Sequence, residues 1–128
     1  MLTFSWENKF GKLTPFCISS DVNEDGISIL ACLLMDDGGQ RYLGTLSWID
    51  KGIAMMDAVM REEALIMDWG RETWGAKIRS NEVKLYSLHD DNYQETITPA
   101  AFRSALVAWR EFLESVPSTQ IKREIILP

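Results

Sequence analysis

The pattern of apolar and polar residues changes along the chain, from strand-like segments in the first half to a helical repeat near the end. Residues 1–6 and 13–20 are short and rich in strand-forming side chains, and each segment predicts a β-strand. Residues 27–35 are nearly continuously apolar, which predicts a central strand covered on both faces. A glycine pair in an acidic turn follows, and residues 40–46 predict a returning strand that completes a hairpin over 27–46.

A helix is predicted over about 50–69. Ser47 and Asp50 have the spacing of a capping box, and Gly70 is the expected C-terminal stop, although Glu62-Glu63 leaves room for a break. The apolar residues recur every three or four positions and predict one buried stripe. The members of that stripe are Ile49, Ile53, Met56, Met60, Ala64 and Met67.

The segment after this helix predicts a loop and several short strands. Residues 69–75 contain two tryptophans and two glycines and are interpreted as a loop. Residues 77–79 and 82–88 predict strands around a turn, and residues 95–98 predict one more. Residues 90–92 form a second acidic turn in this interpretation.

The last helix has the clearest local signals. Thr98 is a good N-cap, Pro99 occupies the first helical position, and Pro117 ends the run. Helical spacing of large apolar residues predicts a core-facing stripe. That stripe consists of Phe102, Leu106, Trp109, Leu113 and Val116.

Together these elements predict an α+β fold, with an antiparallel sheet and two main helices packed on one of its faces. The predicted single domain covers residues 1–117. Residues 118–128 form either an edge strand or a loosely held tail.

Composition and charge narrow the classes of partner. The chain has 128 residues with 46% hydrophobic and 25% charged side chains, which is typical of one globular domain. Nineteen acidic residues against 13 basic ones give a formal net charge of -6, which argues against a nucleic-acid or anionic-membrane partner. The first ten residues lack a signal-peptide pattern, and no apolar run approaches the ~20 residues that span a bilayer. A cytoplasmic location is therefore expected.

Residue patterns for catalysis and metal binding are incomplete. Cys17 and Cys32 lie in apolar segments and predict buried free thiols, with a disulfide as the weaker alternative, and they form no zinc motif. Residues 21–26 match the first half of a calcium-binding EF-hand loop, but the closing carboxylate is replaced by Cys32, so no metal site is predicted. His89 is the one conventional acid–base candidate, and the sequence provides no nucleophile beside it. We therefore expect a protein that is not an enzyme and needs no cofactor. An uncharacterised enzyme using His89 remains a weaker alternative.

Much of the negative charge lies in predicted turns. Loop tips can present charge to a basic protein partner without a folding penalty, although solubility alone also explains single residues of this kind. The candidate acidic residues are Asp21, Glu24, Asp25, Asp36, Asp37, Asp90 and Asp91.

The chain resembles the small acidic immunity proteins of bacterial contact-dependent growth inhibition and related polymorphic toxin systems. The resemblance rests on size, acidity, the α+β layout and tryptophan-rich segments at residues 47–48, 68–70 and 73–75. It implies binding to a cognate toxin domain, often a nuclease with a basic groove, by stoichiometric occlusion of the toxin's active site. Trp69 and Trp74 join the acidic turns as candidate toxin-binding residues.

The alternative class is a small acidic secretion chaperone that dimerises through an apolar helix face. The methionines of the 49–67 stripe distinguish the two classes. Outward-facing methionines would favour the chaperone, and methionines buried on a sheet would favour the immunity protein.

Overall fold

A computed structural model describes residues 1–39 and 41–128. The described chain contains seven strands and three α-helices, with one short 3-10 helix before the second α-helix. In chain order the elements are β1 (Leu2–Lys9), β2 (Lys12–Ser19), α1 (Ile29–Met35), the 3-10 helix (Tyr42–Gly44), α2 (Thr45–Met60), β3 (Ile66–Gly70), β4 (Trp74–Arg79), β5 (Val83–Ser87), β6 (Asp90–Ile97), α3 (Pro99–Glu114) and β7 (Lys122–Ile125).

The predicted α+β class is confirmed, and the strands divide between two antiparallel sheets instead of forming one. The three-stranded sheet has the order β2-β1-β7, and the four-stranded sheet has the order β3-β4-β5-β6. The tail beyond residue 117 contributes β7, an edge strand in which Ile125 pairs with Leu2 of β1. None of the helices in residues 1–39 and 41–128 is long and apolar enough to cross a membrane.

The buried core includes residues of both sheets and all three helices, and its largest aromatic side chains lie where α3 meets the three-stranded sheet. Phe4 and Trp6 lie two residues apart, so both face inward from β1. The Trp6 ring stacks on Phe112 of α3, and the Phe4 ring is tilted against the same residue. Trp109 packs edge-on against Phe4 with ring centroids 4.9 Å apart. The predicted stripe of α3 is therefore buried, except for Val116, which lies beyond the helix and is exposed.

The start of α3 follows the local signals in the sequence. The Thr98 hydroxyl accepts a hydrogen bond from the backbone N–H of Ala101, and Pro99 stands at the first turn. The helix ends at Glu114, shortly before Pro117.

The predicted central strand over 27–35 is wrong, because residues 29–35 form α1. The Ser28 hydroxyl caps this helix by accepting from Ala31 N–H, and Glu95 on β6 accepts from Leu30 N–H. The predicted hairpin over 27–46 is consequently wrong as well. Gln40 lies outside the described residues, and residues 42–46 are helical.

The middle helix is displaced from its predicted position. It runs from Thr45 to Met60, so Ser47 and Asp50 lie inside it and form no capping box. The break at Glu62-Glu63 is confirmed, since Glu62 adopts a left-handed φ of 62°. Gly70 ends strand β3 and is not a helix stop.

Residues 69–75 form strand ends and a hairpin, not an irregular loop. Gly70 pairs with Gly75 at the closed end of the β3–β4 hairpin. At Gly70, a side-chain carbon would meet the backbone of Gly75 at 3.1 Å, which explains why glycine occupies this position. The predicted strands at 77–79, 82–88 and 95–98 overlap β4, β5 and β6 respectively, with different bounds.

Candidate functional site

A cleft of about 400 Å³ lies between the C-terminal end of α1 and the β3–β4 hairpin. It brings together three of the residues selected from sequence, Asp36, Asp37 and Trp74. Its full lining is Cys32, Met35, Asp36, Asp37, Gly39, Glu72, Thr73 and Trp74.

Asp36 holds the hairpin against α1. Its Oδ2 atom accepts hydrogen bonds from the backbone N–H groups of Thr73 at 3.0 Å and Trp74 at 3.2 Å. Its Oδ1 atom accepts from Gly38 N–H at 3.2 Å. This carboxylate is therefore committed to the architecture of the cleft and is not free to meet a partner.

Two other carboxylates of the cleft remain exposed. Asp37 accepts one backbone hydrogen bond, from Gly39 N–H at 2.8 Å, and Glu72 lies on the hairpin loop. Neither of these side chains forms an ion pair with any cation of residues 1–39 and 41–128. No ion pair within the described residues therefore neutralises these two carboxylates.

Tyr93 extends this site toward the first acidic turn. Its ring lies 6.2 Å from the ring of Trp74, and both side chains are half-buried. The Tyr93 hydroxyl donates to Asp25 Oδ2 at 3.1 Å and accepts from Asn23 Nδ2 at 2.8 Å. We call Asp25, Asp37, Glu72, Trp74 and Tyr93 the aromatic–acidic surface.

Tyr93 and Glu72 are not among the candidate residues selected from the sequence. Alternation along β6 would have indicated Tyr93, because the residues at 93, 95 and 97 are half-buried while their neighbours are exposed. Glu72 gave no such signal, since its place at the cleft depends on the tertiary contact of the hairpin with Asp36.

The turn over residues 21–26 bonds to its own backbone. Asn23 Oδ1 accepts hydrogen bonds from the N–H groups of Asp25 at 2.9 Å and Ile27 at 3.0 Å. Such bonds are typical of an ordinary polar turn. Asp21 lies 3.9 Å from the N-terminal amino group, and Glu24 is exposed. No group of three or more potential metal-binding side chains occurs in the described parts of the chain.

Asp90 and Asp91 lie outside the cleft. They begin β6 and do not form a turn, which corrects the interpretation of 90–92. Asp90 Oδ1 accepts from Asn92 N–H at 3.1 Å. Burial raises the pKa of Tyr86 on β5, and the charges of Asp68 and Asp91 add to that effect, which indicates that Asp91 is near Tyr86.

Trp69 belongs to the core and offers no surface to a partner. It stacks on Trp48 with ring centroids 3.9 Å apart, and its indole donates to the Trp48 carbonyl at 2.9 Å. The Trp48 indole in turn donates to the Gly70 carbonyl at 2.9 Å. Gly52 of α2 makes room for this pair, because a Cβ at that position would lie 2.7 Å from Trp69 Cε2.

Burial raises the pKa of three titratable groups in and near the cleft. Burial raises the pKa of the Cys32 thiol, and the charge of Glu95 adds to that effect. Burial also raises the pKa of Glu95, although hydrogen bonds from Leu30 and Ile29 partly offset it. Burial raises the pKa of Cys17 to about 12. Both cysteines are free, and protonated thiols of this kind are poor nucleophiles.

His89 is exposed in the turn between β5 and β6. Its backbone N–H donates to Ser87 Oγ at 3.2 Å. Its imidazole forms no hydrogen bond or ion pair within residues 1–39 and 41–128. The geometry therefore gives this histidine neither a nucleophile to activate nor a carboxylate to orient it.

Comparison of the chain with protein-family models, with curated proteins and with solved structures found no match.

Proposed function

We propose that this chain is an immunity protein, which binds a cognate toxin domain and neutralises it by stoichiometric occlusion of the toxin's active site. The observation that carries the proposal is the aromatic–acidic surface, where exposed carboxylates flank the half-buried rings of Trp74 and Tyr93. The proposal also rests on the resemblance in size, acidity and layout described above.

The chemistry of this surface suits a tight protein complex. Tryptophan and tyrosine are the side chains that most often dominate the binding energy of an interface. Trp74 and Tyr93 are each held by the fold, since β4 carries one and a pair of hydrogen bonds fixes the other. Fixed rings lose little conformational freedom on binding, and that loss is one of the main costs of association.

The charge of the surface suggests the class of toxin. Asp37 and Glu72 have no described cationic partner, and the whole chain carries a net charge of -6. A nuclease has a basic groove that binds phosphates, and carboxylates can occupy such a groove in place of the substrate. We therefore propose a nuclease toxin, with the carboxylates of the cleft facing its substrate groove.

The chaperone alternative receives no support from α2. Ile49 and Met56 are buried against the core, and Met55 is half-buried. Met60 is exposed, but it is the last residue of the helix. The helix thus lacks the outward-facing row of methionines that the chaperone alternative requires.

The test begins with a toxin domain encoded by the adjacent reading frame. That domain is purified, and its nuclease activity is titrated with this chain. We expect activity to vanish near one equivalent, with nanomolar or tighter binding, which corresponds to about -12 kcal/mol. Residual activity at several equivalents, or the absence of an adjacent toxin gene, would contradict the proposal.

Charge reversal then tests the surface. The double variant Asp37→Lys with Glu72→Lys should slow association at least tenfold, because complementary charge acts mainly on the association rate. The matched control is Glu82→Lys with Glu111→Lys, which changes the net charge equally at exposed positions outside the cleft. Equal rates for the two double variants would show that the cleft does not face the toxin. Asp36 is left unchanged, because its reversal would also release the hairpin.

Trp74→Ala tests the aromatic part of the surface. Truncation of a central aromatic anchor costs ~2–4 kcal/mol of binding energy, so the Kd should rise at least thirtyfold. Circular dichroism of the free variant checks that the fold is retained. A Kd within threefold of wild type would remove Trp74 from the interface.

A further inference from the structure

A second and larger cavity adjoins the cleft, and Met35 and Asp37 line both of them. Its volume is about 570 Å³, within the range of ordinary small-molecule sites, and it is walled by β2, the end of α1, the segment before α2, and α3. Apolar side chains supply most of the lining, with Leu34 from α1 and Leu113 from α3.

Trp109 forms part of the cavity wall, while its indole nitrogen is shielded from the open space. Its side chain lines the cavity and is only 1% exposed, yet its indole N–H has no acceptor in the described chain. Leaving such a donor buried and unpaired costs about 1–3 kcal/mol. The Trp6 indole is also unpaired, but it does not line the cavity.

The charges around the cavity indicate the sign of the ligand. Lys12 and Arg41 contribute two cations to the lining, and Asp37 contributes one carboxylate. Neither cation forms an ion pair with the carboxylates of residues 1–39 and 41–128. The surroundings therefore favour a negatively charged group next to an apolar body.

We propose that this cavity binds an amphipathic organic anion. Its apolar body packs on Leu34 and Leu113 beside the Trp109 ring, and its anionic group pairs with Lys12 and Arg41. The cavity shares Asp37 with the aromatic–acidic surface, and the inference does not depend on the immunity function.

Titration of the purified chain with medium-chain carboxylates tests the chemistry of the ligand. Calorimetry with hexanoate, octanoate and decanoate should show one saturable site, and the affinity should rise about fourfold for each CH₂ group. Decylammonium has the same chain with the opposite charge and should bind at least tenfold more weakly than decanoate. The absence of saturation with decanoate below its self-association, or equal binding of both decyl compounds, would overturn the proposal.

Indole N–H resonances locate the bound molecule. Two-dimensional NMR should show that decanoate shifts the Trp109 indole signal and leaves the Trp6 signal in place. Trp109→Phe and Trp6→Phe assign the two signals. Shifts confined to tryptophans outside the cavity would overturn the proposed site.

A negative charge at the exposed rim of the cavity tests the site with a variant that should still fold. Leu43 lines the cavity and is 58% exposed, so Leu43→Glu places a like charge beside the ligand without disturbing the core. Decanoate should bind this variant about tenfold more weakly. The matched control is Leu65→Glu, at a position that is 93% exposed and outside the cavity. Equal affinities for the two variants would show that decanoate binds elsewhere.

Discussion

Replacement of Gly52 by alanine tests the packing of α2 against β3. An alanine in the middle of a helix ordinarily stabilises it by ~1 kcal/mol relative to glycine. Here the added Cβ would lie 2.7 Å from Trp69 Cε2 and 2.9 Å from its Cζ2, closer than carbon atoms approach. The indole cannot retreat freely, because it is stacked on Trp48 and hydrogen-bonded to the Trp48 carbonyl.

The two effects have opposite signs, and the clash should prevail. Overpacking of a filled core costs ~1–3 kcal/mol, so a net loss of about 1 kcal/mol of unfolding free energy is expected after the helix gain is subtracted. Urea denaturation should therefore show a midpoint lower by roughly 0.5 M, given the usual denaturant dependence of small domains. Near-ultraviolet circular dichroism should change as well, because the stacked indoles must shift.

Two further variants make this reasoning refutable. Ser47→Ala changes an exposed position of the same helix and should stabilise the protein by a few tenths of a kcal/mol at most. Trp69→Phe removes the second ring of the indole, so Gly52→Ala should become neutral or stabilising in that background. If Gly52→Ala alone stabilises the protein by ~1 kcal/mol, the tryptophan pair does not press on α2 as described.

The remaining predictions concern three single positions. Trp109→Ala should cost ~3–5 kcal/mol of unfolding free energy, and a loss below ~1 kcal/mol would mean that α3 is not packed on the sheet. Phe10 is fully exposed and has a left-handed φ of 52° before Gly11. Phe10→Asn should raise the unfolding midpoint, because Asn-Gly is the favoured pair in such a hairpin turn. An unchanged or lower midpoint would contradict this. Burial raises the pKa of Glu95, so its stabilising contribution is present below its unfolded pKa and is lost as the pH rises through its folded pKa. Glu95→Gln keeps an acceptor for Leu30 N–H without ionising, so its unfolding free energy should rise relative to that of wild type as the pH rises from about 4 to about 7. If the difference in unfolding free energy between the two proteins stays constant over this pH range, the assignment is refuted.

Elements with local signals could be predicted from the sequence. The Thr98-Pro99 start and the 3.6-residue repeat identify α3, and the break after Met60 coincides with the left-handed Glu62. In these cases the residues that determine the structure are neighbours in the chain, so a short sequence segment is enough to predict the element.

Elements that depend on distant partners could not be predicted in this way. The apolar run over 29–35 suits a buried strand and a buried helix equally well. The helix is favoured because Glu95, far along the chain, accepts a hydrogen bond from its first turn. The hairpin over 66–79 depends similarly on Asp36, whose carboxylate holds its loop.

The candidate site, too, could be predicted only in part from the sequence. Exposed acidic residues were recognisable one by one, yet only Asp25 and Asp37 lie on the aromatic–acidic surface with accessible carboxylates. Asp36 has a structural role, and Trp69 is buried. Composition indicates that a chain is acidic, but only the tertiary fold decides which carboxylates share a surface.

The two sheets differ in the length of chain that must be ordered before they form. Strands β3 to β6 are consecutive, so each pairing closes only a short loop. The three-stranded sheet instead pairs residues 2–5 with residues 122–125, and that contact closes nearly the whole described chain. Non-local contacts of this kind slow folding, so we expect the four-stranded sheet to form first and the β1–β7 pairing last. In hydrogen-exchange experiments during refolding, amides of β4 and β5 should gain protection before those shared by β1 and β7.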